Sequence, residues 1–469
     1  MVKKNMQDFT LVKSNLRGYE LGYIMTQEIK QRIEQLRLNK TPDGYKKTAV
    51  GVIPQDWEVV RFKKLFSRLT RRNTELNKNV LTISAQYGLI SQEEFFNKTV
   101  ASENTETYFL LNKGDFAYNK SYSNGYPYGA IKSLTKYNKG IVSPLYICFS
   151  VTEENKFPEF YNQYFEAGKF NREINAYAQE GARNHGLLNI AVEDFFNSLL
   201  IKPPLAEQQK IAAILSTQDK VIELQQKRID ELKKLKKAYL SKMFPQKGSN
   251  VPELRFKGFT GNWEQRRFSE TFDFLQNNTL SRAELNMQNG KVKNVHYGDV
   301  LIKFGEFTDV QNTELSFISD DNIADKYSSA KLNNGDIVIA DTAEDETVGK
   351  CTEIGNIGTI PVVSGLHTMP CRPKEDFAEA YLGFFMNSTS YHDQLFPFMQ
   401  GIKVSSISKS SIQETVIKYP KDKAEQQKIG SFFRNLDHLI TLQSRKLDAE
   451  KLKKKSLMQL LLTGIVRVK

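Results

Sequence analysis

Cysteine is scarce in this chain: Cys148, Cys351 and Cys371 are the three in 469 residues. So few exclude a disulfide framework and suit a reducing cytoplasm. Long apolar runs are missing too. No stretch reaches the ~18 residues that mark a membrane span. Met1 to Asp8 leads into no apolar core of a secretory signal. Neither export nor membrane association is expected.

The motifs of common chemistries are also absent. There is no Gly-x-x-x-x-Gly-Lys-Ser/Thr phosphate loop and no Gly-x-Gly-x-x-Gly dinucleotide turn. His185, His296, His367, His392 and His438 are scattered, and neither a His-x-x-x-His nor a Cys-x-x-Cys pair occurs. His367 and Cys371 stand four apart without a second pair beside them, so no metal site is expected. The Asn/Asp-Pro-Pro-Tyr/Phe signature of amino-methyltransferases is lacking, because Pro203-Pro204 is preceded by Lys202 and followed by Leu205. The acid-rich Asp341-Thr342-Ala343-Glu344-Asp345-Glu346 reads as a solvated loop. No cofactor and no catalytic residue is expected in the chain itself.

What is present is basic charge and repetition. Lys and Arg number 66 against 54 Asp and Glu, a net charge of +12 that suits a polyanionic partner. At 40% hydrophobic residues the chain can bury real cores. Ala206-Glu207-Gln208-Gln209-Lys210-Ile211 recurs unchanged as Ala424-Glu425-Gln426-Gln427-Lys428-Ile429, 218 residues later. Ile201-Lys202-Pro203-Pro204 and Ile417-Lys418-Tyr419-Pro420 precede the two copies. Upstream, Trp57-Glu58-Val59-Val60-Arg61-Phe62 matches Trp263-Glu264-Gln265-Arg266-Arg267-Phe268. Leu111-Asn112-Lys113-Gly114-Asp115 matches Leu332-Asn333-Asn334-Gly335-Asp336, and Val142-Ser143-Pro144-Leu145 more weakly matches Val363-Ser364-Gly365-Leu366. Four matches in one order, at offsets of 206 to 221, mean an internal duplication. The frame is shared and the filling differs, as expected of one job done on two targets.

Each copy ends in a long helical pattern. A four–three spacing runs Ile211, Leu215, Gln218, Ile222, Gln225, Ile229, Leu232, Lys236, Tyr239, Met243, and again Ile429, Phe433, Leu436, Ile440, Gln443, Leu447, Glu450, Lys454, Leu457, Leu461. Such sustained heptads predict a coiled coil. Two matched helices of about 60 Å each favour pairing with one another. Gln225 and Gln443 hold equivalent, mid-helix sites, where an antiparallel pair would bring them face to face and fix the register. Solvated glutamines on a weak seam are the plainer alternative.

The expected fold is α+β: two mixed α/β domains, residues 51–204 and 251–420, separated by antiparallel helices at 205–250 and 421–469, with a pseudo-two-fold repeat. Residues 1–50 form an extra arm with a short amphipathic helix from Thr26 to Leu38 and a turn at Pro42-Asp43-Gly44. Ile141 to Ile147 and Asp336 to Ala340 read as β-rich runs, and Glu159 to Phe165 as a helix. Each domain also offers polar loop runs fit to touch DNA. In the first these are Tyr118 to Gly129, with Lys120, Ser121, Tyr122 and Tyr126, and Gly181 to His185, with Arg183, Asn184 and His185. In the second they are Asp341 to Lys350, with Thr342 and Thr347, and Gly401 to Ser406, with Lys403, Ser405 and Ser406. One such run alone is usually just a polar loop; their matched placement favours DNA.

Two variable domains, each closed by a Pro-x-x-x-Glu-Gln-Gln-Lys-Ile-like start to a lysine-rich helix, resemble the specificity subunit of type I restriction–modification systems. The Trp-Glu-x-x-Arg-Phe opening, the Leu-Asn-x-Gly-Asp strand entry and the Leu461-Leu462-Thr463-Gly464 ending are similar to that family as well. The resemblance runs from about Gly44 onward, and the arm departs from the shortest family pattern. It implies two target recognition domains, each reading half of an asymmetric, bipartite double-stranded DNA site. It also implies paired helices that space the heads and dock two modification subunits. S-adenosylmethionine, and ATP with magnesium, would then serve the modification and the motor-nuclease (restriction) subunits. Two rival readings remain: a single-chain DNA methyltransferase with a non-standard motif, which S-adenosylmethionine binding would support, and a two-headed protein-binding scaffold, which lack of salt-dependent DNA binding would favour.

Overall fold

A computed structural model describes residues 26–84, 88–96, 105–122, 125–180, 188–327, 330–401 and 404–468. The chain forms two compact units, one of residues 1–224 with 446–469, the other of residues 225–445. Each contains one head, the start of the helix that follows it and the end of the other long helix.

In the first unit Glu58–Arg61 pairs antiparallel with Leu199–Lys202, so both ends of the head leave through one neck. Above it lies a four-stranded sheet in the order Phe66–Arg68, Ile147–Val151, Phe116–Asn119, Ala130–Ser133. Ile141 to Ile147, which reads as one β-rich run, is two strand ends separated by a turn, closed by Tyr146 N–H donating to Ser143 O at 3.1 Å. Rings fill the core: Phe62 touches Phe66, Phe149, Phe165, Phe170, Phe195 and Phe196 at centroid distances of 4.8 to 6.1 Å. In the second unit Glu264–Arg267 pairs with Val416–Tyr419 as the corresponding neck. Its main sheet runs Phe272–Phe274, Thr368–Pro373, Ile337–Ala340, Cys351–Gly355, Phe307–Asp309.

The shared frame has a physical basis. In both copies of Leu-Asn-x-Gly-Asp the aspartate accepts the asparagine N–H at 2.7 Å, and the glycine takes φ +93° or +87°. That left-handed conformation favours glycine. Each aspartate also holds an arginine from elsewhere, Asp115 with Arg71 and Asp336 with Arg372. In the doubled helix start, Glu207 takes both Nε and Nη2 of Arg467 at 2.8 Å and the Trp57 indole N–H at 2.8 Å. Glu425 takes Arg255 Nε at 2.7 Å and Nη2 at 2.8 Å. Gln208 and Gln426 donate to the carbonyls of Pro203 and Pro420, and Ile211 and Ile429 are buried.

The long helices span Leu205–Lys242 and Lys423–Leu461. None of the twenty seam positions is exposed. In the first unit Gln218 donates to Glu450 Oε2 at 2.7 Å, and Lys454 pairs with Asp219 at 2.5 Å. In the second Gln225 donates to Gln443 Oε1 at 2.6 Å and to its backbone carbonyl at 3.1 Å. There Lys236 pairs with Asp437 at 2.6 Å, the repeat-equivalent of Lys454 with Asp219. Partner numbers fall as residue numbers rise, so the helices run antiparallel. The arm helix spans Gln27–Arg37, capped by Thr26, and packs Ile33 against Leu460 and Ile465. The hairpin of Tyr45–Thr48 and Gly51–Pro54 straddles the arm boundary read at residue 50.

Candidate nucleic-acid interface

In the second head the structure brings the two polar runs together, and in the first it sets the first run against the strand pair that flanks the second. In the first, the run after Phe116–Asn119 links that strand to Ala130–Ser133. Gln179–Glu180 pairs with Leu188–Asn189, and Leu188 N–H donates to Lys120 O at 3.1 Å. That hairpin brackets the second run, whose Arg183, Asn184 and His185 lie outside the described residues. In the second head Thr342–Ala343 pairs with Ser405–Ser406, Thr342 opposite Ser406. Lys403 lies outside the described residues. The equivalence extends to sequence: Gly181-Ala182-Arg183 corresponds to Gly401-Ile402-Lys403, a glycine followed at the second place by a cation. The match is too short to stand out unless the hairpins are first aligned.

The individual side chains differ in what they leave free. Tyr122 is 62% exposed, and Lys120 is half-buried with its backbone anchored. Ser121 N–H is held by Asn119 Oδ1 at 3.0 Å, which fixes the strand exit. The Tyr126 hydroxyl is engaged within the head: it donates to Glu166 Oε1 at 2.6 Å and accepts from Lys132 Nζ at 3.1 Å. Burial and the Glu166 charge push that phenol well above its ordinary range. The Thr347 hydroxyl donates to Asp345 Oδ1 at 2.5 Å in a local turn, holding that carboxyl below its usual value. Thr342 donates to Asp341 Oδ1 at 2.8 Å, and His367 Nδ1 lies 3.3 Å from the same oxygen. Asp341, Glu344, Asp345 and Glu346 make the second loop acidic where the first carries Lys120. The two heads thus present one scaffold with opposite local charge.

Among the described residues no group of His, Cys, Asp and Glu is placed to hold a metal ion, and no helix is long and apolar enough to cross a membrane. The three cysteines are buried, and burial pushes the Cys148 thiol up to about 12, so it is no nucleophile at neutral pH.

Comparison with known proteins assigns this architecture. The model of the type I restriction modification DNA specificity domain matches residues 54–234 and again 260–451. The chain is 25% identical to the type I restriction enzyme MjaVIII specificity subunit of Methanocaldococcus jannaschii over 446 residues, 89% of this chain and 94% of that protein. It is 23% identical to the putative type I restriction enzyme MjaX specificity subunit of the same organism, over 91% of this chain and 97% of that one. A solved structure from work on complex assembly and conformational transition of the type I R-M system shares the fold, with a TM-score of 0.53 and 17% identity. It covers 88% of this chain and 99% of that one. The chain belongs to the type I restriction–modification DNA specificity family, as a non-catalytic DNA-recognition subunit with two copies of the specificity domain.

Proposed function

We propose that each head reads one half of an asymmetric, bipartite site in double-stranded DNA through its two polar loops. The observation that carries this reading is one frame built twice, with polar runs of different side chains at matched places in the sequence. Lys120, Ser121 and Tyr122, with Arg183, Asn184 and His185, serve the first half-site. Ser405, Ser406 and Lys403 serve the second, where the carboxylates of Asp341 to Glu346 suit cytosine amino groups. Tyr126, Thr342 and Thr347, whose hydroxyls have protein partners, position the loops.

The long helices dock two modification subunits. Ile214, Val221 and Leu224 support this, lying exposed at helical spacing on the outer face of the first helix. S-adenosylmethionine then belongs to those subunits, ATP and magnesium to the motor-nuclease subunits, and the assembly to the cytoplasm where its DNA lies. The test is replacement of residues 51–204 by the corresponding domain of another specificity subunit, with methylation profiling of DNA from cells that also express the partner subunits. One half of the methylated site should change and the other persist; a change in both halves would sink the two-headed reading.

A further inference from the structure

The two necks are built alike but filled differently. In the second unit Tyr419 stands opposite Glu264 on the neck ladder and donates its hydroxyl to Glu264 Oε2 at 3.1 Å. Its ring meets Phe377 edge-on, with centroids 4.9 Å apart, and it is 4% exposed. The loop before Phe377 is closed as well: Glu375 pairs with Arg266, and Asp376 with Lys423.

In the first unit the ladder puts Lys202 in the place of Tyr419, opposite Glu58. The adjoining loop is longer. Glu153-Glu154-Asn155-Lys156 stands between Thr152 and Phe157, where the second head has Glu375-Asp376 between Lys374 and Phe377. The anchoring is the same, Thr152 N–H on Leu65 O and Lys374 N–H on Thr271 O. What results is a cleft of about 400 Å³ bordered by Glu58, Leu65, Glu154, Asn155, Lys202 and Pro203 among others. Asn155 is 6% exposed, and neither its carboxamide nitrogen nor its oxygen has a partner. A buried donor and acceptor left unpaired together are costly, so this side chain points to a ligand that offers one of each.

We propose that the cleft is a socket for a tyrosine residue of a partner polypeptide. The ring takes the space that Tyr419 fills in the second unit, and its hydroxyl donates to Glu58 as Tyr419 donates to Glu264. The N–H and C=O of that tyrosine pair with Asn155 Oδ1 and Nδ2. Lys202, on a long flexible stem, swings aside, and Pro203 and Leu65 supply apolar walls.

The test uses the full chain and N-acetyl-L-tyrosinamide, read by saturation-transfer NMR. Binding should saturate, and N-acetyl-L-phenylalaninamide, which lacks the hydroxyl, should bind about tenfold more weakly. Free L-tyrosine, with an ammonium in place of the amide N–H, should also bind more weakly. Lys202→Tyr supplies the ring from within and should abolish binding without lowering the melting temperature. Asn155→Leu keeps the cleft and should weaken the capped amide while preserving the preference for tyrosine over phenylalanine. Absence of saturable N-acetyl-L-tyrosinamide binding, equal binding of the phenylalanine analogue, preference for free tyrosine, or unchanged binding in both variants would each overturn the proposal.

Discussion

Glu207 and Glu425 show what a repeated motif is for at the scale of one residue. Each is a carboxylate sunk at a helix start, with side-chain exposures of 3% and 1%, and each is clamped by an arginine that lies beyond the end of the other long helix. Removing one partner of a buried pair costs about 3–5 kcal/mol. Arg255→Ala should therefore lower unfolding free energy by roughly that amount, and Arg467→Ala by less, since Glu207 keeps the Trp57 N–H. Burial alone would raise the Glu207 carboxyl, but hydrogen bonds from Arg467 and Trp57 outweigh it and hold the group below its ordinary range. A depressed carboxyl adds stability above its unfolded value and loses it as pH falls through the folded one. Thermal unfolding of Arg467→Ala should thus show a shallower loss on acidification below pH ~4.5 than the parent chain; an equal slope would assign the acid sensitivity to other groups. DNA contacts belong to this scale too. If Lys120 touches phosphate, Lys120→Ala should weaken binding evenly across sequences and lower the salt slope by about one unit. Arg183→Ala should instead relax one base position, a discrimination of roughly 1–3 kcal/mol. Salt titrations on matched and mismatched sites separate the two, and unchanged binding in both would discard this surface.

At the scale of elements, the long helices were legible because a heptad repeats its evidence every turn, so an error at one position is corrected by the next. Strands give no such redundancy. The letters Ile201-Lys202 and Ile417-Lys418 match, yet the ladders put Lys202 opposite Glu58 and Tyr419 opposite Glu264. The true equivalents are Lys202 and Tyr419, and a one-residue slip sends every side chain to the other face. The Tyr161 and Tyr381 hydroxyls, which donate to the carbonyls of Ile201 and Lys418, form a further repeat that no motif announced. A single aromatic in a divergent background carries too little signal. Composition and matched placement mark the candidate loops, and neither separates a free hydroxyl from one engaged like that of Tyr126. The Gln225–Gln443 rung carries its own prediction. Two facing amides in an apolar seam exchange stability for register. The double variant Gln225→Leu with Gln443→Leu should melt higher, while disulfide trapping of cysteine pairs introduced along the seam should reveal shifted registers. A lower melting point, or a single register as sharp as the parent's, would remove the glutamines from that role.

At the scale of the whole molecule the long helices join two recognition events. They comprise 38 and 39 residues, and each continues unbroken from the unit of one head into that of the other. At 1.5 Å per residue each is about 57 Å long, and its charged rungs repeat in both halves as Lys454 with Asp219 and Lys236 with Asp437. A seam tied by glutamines and by ion pairs resists sliding, and if the helix pair acts as a ruler, its length sets the spacing between the half-sites. Lengthening one helix alone would shift its partners on one side of the insertion and break the antiparallel register. Matched heptads inserted after Leu224 and after Arg445 keep every rung in phase. They add about 10 Å, close to three base pairs at about 3.4 Å per step. Methylation profiling of cells carrying this variant with its partner subunits should return the same two half-sites with an unread spacer about three base pairs longer. If the variant methylates at the original spacing, the helices do not act as a ruler, and their conserved length in both repeats serves docking alone.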